Sequence, residues 1–475
     1  MELQQLLAAV ADGPAFRGAA LVGDGGVDVV TVEHDSRRVE PGALFCCVPG
    51  ERADGHDFAA AAAEQGAVAL LCEHPVGVGV PELQVPSVRA AMGPVAAEVN
   101  GRPSDTLAVV GVTGTNGKTT TTHLLRSILE AGGWPTDVIG TLTGARTTPE
   151  APELQQELAQ SLARGRRAVA MEVSSHALAQ HRVDGTTFRV AVFTNLSRDH
   201  LDFHGTMAEY FKAKALLFEP ALSQRAVVNL DDPNGRLLRD AASIPTVGYS
   251  LEDTSEVVAD ARGTTLTWKG ARLHVPLAGS FNVENALAAA TAALELGLPI
   301  DAVRDGLAAA GNVAGRFEVV DQGQPFLVVV DYAHTPDGLA RLLEAARPLA
   351  TSHQVILVFG AGGNRDRAKR PLMGEMASRG ADRVVLTSDN PRDEDPLAII
   401  DAVKDGMQDT SGLVVEPDRR AAIAEALALA HPGDVVVVAG KGHETTQTIG
   451  TSVLPFDDRT VTRELLTTLA GGAGA

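Results

Sequence analysis

The stretch that decides this fold is Val109-Val-Gly-Val-Thr-Gly-Thr-Asn-Gly-Lys-Thr-Thr-Thr-Thr122. It predicts an apolar strand over 107–112, a glycine turn, and a helix from about Thr119. A glycine turn at a helix N-terminus leaves backbone N–H groups unpaired, and the helix dipole adds positive potential, so the turn favours a phosphate. Lys118 comes next, at the position from which its side chain would reach the terminal phosphates. The hydroxyl of Thr119 would then bind a magnesium ion. The alternative is a glycine-rich turn that binds nothing, against which the Lys-Thr order argues.

Further out, two more apolar runs end in polar segments. One strand ends in Glu172-Val-Ser-Ser-His176, and a second opens into Ser197-Arg-Asp-His-Leu-Asp-Phe-His204. Since ligands bind beyond the carboxyl ends of parallel strands, a second magnesium-directed acid is expected at Glu172. Alternatively, Glu172 is only a solvent-exposed side chain at the end of the strand. The following amphipathic helix places Lys212 and Lys214 on different faces, and a solvated lysine is the default for each.

The remaining stretches predict an α/β unit on either side of this one. In the last third, apolar strands alternate with helices and stop at three polar loops: Gly360-Ala-Gly-Gly-Asn-Arg365, Ser388-Asp-Asn-Pro-Arg392 and Gly440-Lys-Gly-His-Glu444. These loops predict a pocket for a small zwitterion in a doubly wound, Rossmann-like unit. Before the glycine turn, strands are expected at 27–31, 44–48 and 67–71. There Ser36, Arg37 and Arg52 suit a phosphorylated substrate, although turn chemistry and solvated charge explain them equally well.

Composition narrows the class of protein. A chain of 475 residues predicts two to four domains, because a single core stops growing near about 250–300 residues. We place the limits at 1–104, 105–314 and 315–475. No run approaches the ~18 apolar residues of a membrane span, and no export signal is expected at the start. Three cysteines without metal-type spacing favour a reducing cytoplasm. The net charge of −20 argues against nucleic-acid binding.

Together these motifs resemble the Mur ligases of peptidoglycan synthesis, and most closely the members that add the third residue of the peptide. The resemblance extends from His34 to Asp458. Its glycine loop is shared with folylpolyglutamate synthetases, which belong to the same superfamily. More specific are Asp35-Ser-Arg37, Glu172-Val-Ser-Ser-His-Ala-Leu-Ala-Gln-His-Arg182, Ser197-Arg-Asp-His-Leu-Asp202, Asp389-Asn-Pro-Arg392 and Gly440-Lys-Gly-His-Glu444.

The resemblance implies a three-domain α/β fold: an N-terminal domain that binds the UDP part, a central P-loop ATPase-like domain, and a C-terminal Rossmann-like domain that binds the amino acid. It also implies a cytoplasmic, monomeric ligase that uses ATP and Mg²⁺. The D-glutamate carboxylate of UDP-N-acetylmuramoyl-L-alanyl-D-glutamate attacks the γ-phosphate to give an acyl phosphate. The amine of an incoming diamino acid then displaces phosphate, so positioning and charge neutralisation dominate catalysis.

The resemblance assigns roles to individual positions. Lys118, Glu172, His200 and Lys214 are implied in catalysis, with Thr119, Glu172, His200 and a carbamate on Lys214 as magnesium ligands. The residues implied in ATP binding are Gly114, Thr115, Asn116, Gly117, Lys118, Thr119, Thr120, Asn282, Asn285, Arg316 and Asp331. Those implied for the UDP-muramoyl dipeptide are His34, Ser36, Glu51, Arg52, Ala53, Thr147, Thr148, Ser174, Gln180 and Arg182. Those implied for the amino acid are Arg365, Asp389, Asn390, Pro391, Arg392, Gly440 and Glu444.

The family pattern also implies which amino acid is added. The Asp-Asn-Pro-Arg form accompanies meso-diaminopimelate, whose distal carboxylate suits the guanidinium of Arg392, whereas lysine-adding members lack this arginine. Three alternatives remain open: the same ligase using L-lysine, a folylpolyglutamate-synthetase-like ligase, and a non-catalytic ATP-binding partner. Folate ligases lack an extra N-terminal domain, and the non-catalytic members carry a four-cysteine zinc ribbon that three scattered cysteines do not make.

Overall fold

A computed structural model describes residues 1–50, 53–260, 262–350 and 352–472. Its strands form three main sheets, one in each third of the chain, so the predicted three-domain α/β fold is confirmed. The exact domain limits stay a prediction. Within the described residues, no helix is both long and apolar enough to cross a membrane.

The first unit holds a five-stranded sheet in the order β1-β5-β4-β3-β2, parallel except for the pairing of β1 with β5. The strand predicted at 27–31 is wrong. The backbone of Val29 pairs with Met1 instead of a neighbouring strand, and the sheet is entered only at Thr31. The elements are α1 (Leu3–Val10), β1 (Ala20–Val22), β2 (Thr31–Glu33), β3 (Ala43–Cys46), α2 (Ala59–Glu64), β4 (Ala67–Cys72), β5 (Glu82–Gln84), α3 (Val88–Val99) and α4 (Pro103–Thr106).

The central unit holds a six-stranded parallel sheet in the order β11-β10-β9-β6-β8-β7, with a small antiparallel sheet β12-β13-β14 beside it. Its elements are β6 (Ala108–Thr113), α5 (Lys118–Ala131), β7 (Thr136–Ile139), α6 (Ala151–Ala163), β8 (Ala168–Glu172), α7 (Ser175–Ala179), β9 (Val190–Phe193), α8 (Leu201–His204), α9 (Met207–Ala215), β10 (Ala226–Asn229), α10 (Pro233–Ala241), β11 (Thr246–Tyr249), β12 (Thr254–Asp260), β13 (Gly263–Trp268), β14 (Ala271–Val275), α11 (Ser280–Glu295) and α12 (Ile300–Ala308).

The third unit holds a six-stranded sheet in the order β15-β16-β20-β17-β18-β19, in which only the pairing of β15 with β16 is antiparallel, and a hairpin β21-β22. Its elements are β15 (Glu318–Val319), β16 (Leu327–Asp331), α13 (Pro336–Ala350), β17 (Val355–Phe359), α14 (Lys369–Gly380), β18 (Arg383–Leu386), α15 (Pro396–Lys404), β19 (Leu413–Val415), α16 (Arg419–Leu429), β20 (Val435–Ala439), β21 (Thr446–Ile449), β22 (Ser452–Pro455) and α17 (Asp458–Gly472).

Apolar side chains cover both faces of the two larger sheets. In β6, Val110 and Val112 enter one cluster while Val109 enters another, and in β20 Val435 and Val437 alternate with Val436 and Val438 in the same way. Burial on both faces explains why these strands are continuous apolar runs in the sequence. The sheets are therefore rigid supports, and the polar loops at their carboxyl ends are where ligands have access.

Candidate active site

The glycine loop after β6 is shaped by two close contacts. Gly114 and Gly117 both have positive φ, +150° and +87°. A Cβ on Gly114 would lie 1.9 Å from the hydroxyl oxygen of Thr194, and one on Gly117 would lie 2.2 Å from the side-chain oxygen of Asn285. Glycine is therefore required both for conformation and for space. Helix α5 begins directly afterwards, at Lys118, so its free N–H groups face the loop.

Lys118 lies folded over this loop. Its ammonium donates hydrogen bonds to the carbonyls of Gly114 (2.9 Å) and Thr115 (3.0 Å). Burial lowers the pKa of Lys118, and the nearby charge of Arg316 lowers it further, against the opposite effect of Glu172 and Asp199. Because its hydrogen bonds go to neutral carbonyls, Lys118 is free to pair with a phosphate.

Glu172 ends β8 and is almost completely buried. Its carboxylate accepts hydrogen bonds from the hydroxyl of Thr119 (3.0 Å) and from the backbone N–H of Thr141 (2.9 Å). The structure thus brings together the hydroxyl and the carboxylate predicted to hold magnesium. Hard oxygen donors of this kind fit that ion.

His200 lies in the loop after β9 with a positive φ of 54°. Burial lowers its pKa to about 3, helped by His176, Lys118 and Lys214 and opposed by Asp199. The imidazole is therefore neutral near pH 7, as a metal ligand must be. Burial alone would raise the pKa of Asp199, but hydrogen bonding and charge from His334, with His200 and Lys369, hold it well below its usual range.

Lys214 and Lys212 confirm the predicted difference between the two faces of α9. The side chain of Lys212 is 74% exposed and lies 3.9 Å from the carboxylate of Glu209. Lys214 is 1% exposed, and its amino group donates to the carbonyl of Gly114 at 2.8 Å. Burial, followed by the charge of Lys118, lowers its pKa well below the ordinary value. Burial therefore favours the neutral, nucleophilic form of the Lys214 amine beside the glycine loop.

The third unit contributes Arg316 and Asp331, which were predicted to bind ATP. Arg316 donates a hydrogen bond to the Thr119 hydroxyl (3.1 Å), and its guanidinium lies 4.4 Å over the ring of Tyr332. Asp331 accepts from the backbone N–H groups of Phe317 and Ala333, both at 2.7 Å. Burial raises the pKa of Asp331 despite the charge of Arg316. The residues predicted to bind ATP therefore come together from two units of the chain.

The two predicted asparagines of α11 play different parts. Asn285 contacts the glycine loop and accepts from the Thr121 hydroxyl at 3.4 Å. Asn282 is fully buried, donates to the carbonyl of Ala278 (2.8 Å) and accepts from Asn285 (3.3 Å). Asn282 orients Asn285 in this structure and does not itself line the cavity described next.

A cavity of about 460 Å³ opens in front of the glycine loop. Predicted residues that line it are Thr115, Asn116, Gly117, Lys118, Thr119, Thr120, Thr147, Thr148, Glu172, Ser174, Arg182, His200, Asn285, Arg316 and Asp331. Among the described residues, those predicted for the site but outside its lining are Gly114, Asn282, Gln180, Lys214, His34, Ser36, Ala53 and the predicted residues of the amino-acid loops.

The residues predicted for the muramoyl peptide form one network at the far end of this cavity. The Thr148 hydroxyl donates to the backbone carbonyl of Glu172 (3.0 Å) and accepts from the Ser174 N–H (3.0 Å). Arg182 donates to the side-chain oxygen of Gln180 at 2.6 Å and lies 3.0 Å from Glu150. Within the described residues the buried Nε of Arg182 has no hydrogen-bond partner, so this guanidinium keeps donor capacity for an anionic ligand. Thr147 pairs with Thr141 at 3.0 Å.

Two of the residues predicted for the UDP part, His34 and Ser36, directly follow β2. His34 and Asp35 donate their backbone N–H groups to the carboxylate of Glu33, and Ser36 begins a 3₁₀ turn capped by Asp35. Arg37, which was predicted to suit a phosphorylated substrate, donates from two guanidinium nitrogens to the carboxylate of Asp35. These hydrogen bonds are the main reason that the pKa of Asp35 is lowered to about 2. Ala53 is exposed. Glu51 and Arg52 lie outside the described residues.

The predicted amino-acid loops meet in the third unit. Asn390 donates to one carboxylate oxygen of Glu444 at 2.8 Å, and a Cβ on Gly440 would lie 2.7 Å from the Asp389 carboxylate. Pro391 is buried between these groups and Arg392. The guanidinium of Arg392 donates to the carbonyl of Gly363 at 2.6 Å and is half-buried. Arg365 is exposed on the facing loop.

Sequence reasoning did not include several residues that the structure places in the cavity. Thr141 binds Glu172, and Tyr332, His334 and Arg341 come from the third unit. Thr141 has a weak local signal, a threonine after the carboxyl end of β7. Tyr332 and His334 have the same signal, since they follow the carboxyl end of β16. Arg341 lies inside α13 and has none, because its place depends on how two units of the chain pack against each other.

Three family patterns match the chain in order. The one described as "Mur ligase family, catalytic domain" matches residues 28–101, "Mur ligase middle domain" matches 112–293, and "Mur ligase, glutamate ligase domain" matches 315–442.

Two similar proteins and one solved structure carry the same name. A protein of Geobacillus thermodenitrificans called UDP-N-acetylmuramoyl-L-alanyl-D-glutamate--2,6-diaminopimelate ligase is 44% identical over 98% of this chain and 99% of its own length. A protein of the same name from Solibacter usitatus is 47% identical over 92% of this chain and 94% of its own. A solved structure with that name in its title has 35% identity, covers 99% of both chains and superposes with a TM-score of 0.68.

Proposed function

Because this chain belongs to the Mur ligase family, we propose that it joins meso-2,6-diaminopimelate to the D-glutamate carboxylate of UDP-N-acetylmuramoyl-L-alanyl-D-glutamate, using ATP. It is an ATP-dependent ligase that forms a C–N bond in peptidoglycan precursor synthesis. The observation that carries the proposal is the single cavity in which the phosphate loop, Glu172 and His200 face Thr148, Ser174 and Arg182. One site thus holds the groups for a nucleotide and for an acidic peptide.

The first step needs a carboxylate beside the terminal phosphate. An oxygen of the D-glutamate side chain forms a bond to the γ-phosphorus, the bond from that phosphorus to ADP breaks, and an acyl phosphate results. The N-terminus of α5 and Lys118 neutralise the charge that develops on the phosphate oxygens. Arg182 and Ser174 would hold the peptide's carboxylates. Magnesium, which Thr119, Glu172 and His200 would hold, supplies further charge neutralisation and alignment of the phosphates.

The second step forms the amide. The free amine of the amino acid bonds to the acyl carbon, phosphate leaves with the electrons of the C–O bond, and the nitrogen loses a proton. The chain contributes mainly orientation, because the acyl phosphate is already activated. Asn285, Arg316 and Asp331 would keep the nucleotide in place, with Asn282 holding Asn285.

We also propose that Lys214 is carbamylated. Burial holds the pKa of its amine well below the ordinary value, which favours the unprotonated form that can attack carbon dioxide, forming an N–C bond and releasing one proton. The product is an anion, which would relieve the crowding of positive charge around Lys118 and offer oxygens to a metal ion. Lys212 is exposed and paired with Glu209, so no such chemistry is expected there.

The amino-acid loops suit a diamino dicarboxylic acid. Arg392 would bind the distal carboxylate and Glu444, with the carbonyl of Gly440, the distal ammonium, while Arg365 would bind the other carboxylate. Asp389, Asn390 and Pro391 shape the loop. L-Lysine would leave Arg392 unpaired, and such a loss can reduce specificity by several powers of ten. The lysine alternative is not favoured by the names of the relatives either.

The folate-ligase alternative is also disfavoured, because the relatives match across nearly the whole chain, including the first hundred residues. For that first part we propose binding of UDP through His34, Ser36 and the 51–53 loop. The domain limits 1–104, 105–314 and 315–475, a cytoplasmic location and a monomeric state complete the proposal.

The reaction is tested by phosphate release. The protein is incubated with ATP and UDP-N-acetylmuramoyl-L-alanyl-D-glutamate, and meso-diaminopimelate, L-lysine or no amino acid is added at equal concentration. We expect release and tripeptide product with diaminopimelate and little with lysine. Equal or better use of lysine would contradict the substrate assignment. No substrate-dependent release with any of them would contradict the ligase itself.

A further inference from the structure

One lysine in the amino-acid loops has no part in the reaction described above. Lys441 follows β20, between Gly440 and Gly442, which both have positive φ (+112° and +52°). Its side chain is completely buried, and its ammonium donates hydrogen bonds to Glu444 (3.0 Å), to the carbonyl of Thr446 (2.6 Å) and, at 3.4 Å, to Asn390. Three acceptors use all three protons of the ammonium. Lys441 therefore cannot touch a ligand itself.

What Lys441 does is join two loops that begin on different strands. Asn390 follows β18 and Glu444 follows β20, and these strands are separated by β17 in the sheet. Asn390 donates to the same Glu444 oxygen that accepts from Lys441, at 2.8 Å. The backbone N–H of Thr448 donates to the side-chain oxygen of Asn390 at 2.9 Å. Both side chains are thus fixed in one orientation by donors that the chain supplies.

This arrangement leaves Glu444 half satisfied. The oxygen Oε2 accepts two hydrogen bonds, whereas within the described residues no donor reaches Oε1, and the side chain is 32% exposed. The charges around Glu444 also leave room for a cation. Arg419 is buried against Asp458 with both side chains fully covered, and the carboxylates of Asp389 and Glu444 also lie near it, so the two buried cations Arg419 and Lys441 face three carboxylates. An incoming ammonium would supply the remaining positive charge.

We propose that Lys441 is a positioning residue for amino-acid selection: it fixes Glu444 and Asn390 so that the free oxygen of Glu444 receives the distal ammonium of the substrate. This inference rests on the proposed function. It predicts that Lys441 acts only through Glu444, and only on substrates that carry a distal amine. A lysine that merely stabilised the fold would affect every substrate alike.

The test compares meso-diaminopimelate with L-2-aminopimelate, which has both carboxylates but lacks the distal amine. For the unmodified protein we expect kcat/KM to favour diaminopimelate by about 10²-fold or more, because a charged hydrogen-bonding partner is lost in the analogue. In Lys441→Met this ratio should fall at least tenfold, chiefly through KM for diaminopimelate, with KM for ATP unchanged. Lys404→Met, at an exposed lysine of the same unit, is the matched control and should keep the ratio.

Both substrates are measured on one preparation, so the ratio does not depend on the folded fraction. Glu444→Met should lower the ratio as much as Lys441→Met, and the double variant should lower it no further, since neighbouring groups that act as a unit are not additive. If Lys441→Met fails to fold, the double variant removes both charges of the buried pair together, which is better tolerated than removing one, and its ratio is compared with that of Glu444→Met.

Two results would overturn the proposal: an unchanged ratio in Lys441→Met, which includes an equal loss of activity with both substrates, or a ratio in the double variant clearly below that of Glu444→Met. If the unmodified protein used neither substrate, the proposed function itself would fail, which is a separate outcome from these two.

Discussion

Two regions of this chain bury lysines near carboxylates, and they neutralise them in different ways. At the phosphate loop, Lys118 and Lys214 both donate to the carbonyl of Gly114, and burial lowers the pKa of each. At the amino-acid loops, Lys441 is bound to Glu444 and Arg419 to Asp458. In the first region, within the described residues, neither lysine forms an ion pair with a carboxylate. In the second, Lys441 and Arg419 are each paired with a carboxylate of the chain before any ligand arrives.

This difference predicts different consequences of mutation. A region that waits for anionic ligands should lose the chemical step when its cations are removed, because they act on charge that develops only during reaction. A region that is already neutralised should lose selectivity or stability instead. The following predictions test that contrast, beginning with the largest expected effect.

Lys118→Ala should lower kcat by about 10³-fold or more, since it removes a cation from the developing phosphate charge. The thermal unfolding midpoint should change little, because Lys118 loses only two hydrogen bonds to neutral backbone carbonyls of the loop and no ion pair. The rate of product formation measures kcat, and differential scanning calorimetry measures the unfolding midpoint. Near-normal turnover would show that the loop does not hold the reacting phosphates, and Lys212→Ala is the control for an exposed lysine of the same unit.

Lys214→Ala should lower kcat by about 10²–10³-fold, with partial recovery on adding a short carboxylic acid such as acetate. A second measurement does not depend on activity. Protein equilibrated with ¹³C-labelled bicarbonate should show a carbamate resonance by NMR, which Lys212→Ala keeps and Lys214→Ala loses. A resonance that survives in Lys214→Ala, or that is absent from the unmodified protein, would contradict the carbamate.

The phosphate-loop region was largely predictable from the sequence, for a local reason. A strand, a glycine turn and a helix follow one another within fifteen residues, so their order fixes where Lys118 and Thr119 lie. Helical geometry likewise separates Lys212 from Lys214, since residues two apart point to different faces. The polar loops at strand ends followed from the parallel sheet in the same way.

What could not be predicted depends on contacts between distant segments. Arg316 reaches Thr119 across 197 positions, and Asn116 reaches Asp337 across 221. No local pattern encodes such pairs, because they are set by the packing of separate units. Asn282 illustrates a second limit: the family pattern names it, but only the structure shows that its amide is used on Ala278 and Asn285. The strand expected at 27–31 was wrong because the backbone of Val27 pairs with Leu3 and that of Val29 with Met1, at the start of the chain.

Arg392→Asn should reduce the preference for meso-diaminopimelate over L-lysine by about 10–100-fold while leaving ATP binding intact. Asparagine is chosen because Arg392 has φ +53°, which asparagine tolerates. Ligation of the two amino acids at equal concentration, with calorimetric titration of ATP, measures both effects. Arg379→Ala, at an exposed arginine paired with Glu375 in α14, should keep the preference. An unchanged preference in Arg392→Asn would remove Arg392 from amino-acid selection.

The smallest effect concerns the stability of the loop that faces Arg392. Glu394 accepts two hydrogen bonds from Arg370 (2.9 and 3.0 Å), and these bonds, with one from the backbone N–H of Asn364 and despite some burial, hold its pKa at about 2 instead of 4.5. Since the folded pKa lies below the unfolded one, the pair stabilises the fold above about pH 4.5, and this contribution is lost as the pH falls towards 2.

Glu394→Gln should therefore lower the unfolding midpoint at pH 7 by about 2–6 °C, while kcat stays within a few-fold of the unmodified protein. Between pH 5 and 3 the midpoint of the unmodified protein should fall more steeply than that of the variant, because only the former has this carboxylate to protonate. Differential scanning calorimetry across that range is the measurement, and Glu252→Gln, at an exposed residue of the central unit, is the control. Parallel curves for the two proteins would show that the Arg370 pair contributes nothing to stability. A fall in kcat of more than about tenfold with an unchanged unfolding midpoint would show instead that Glu394 acts in the chemical step, as the lysines of the glycine loop are expected to do.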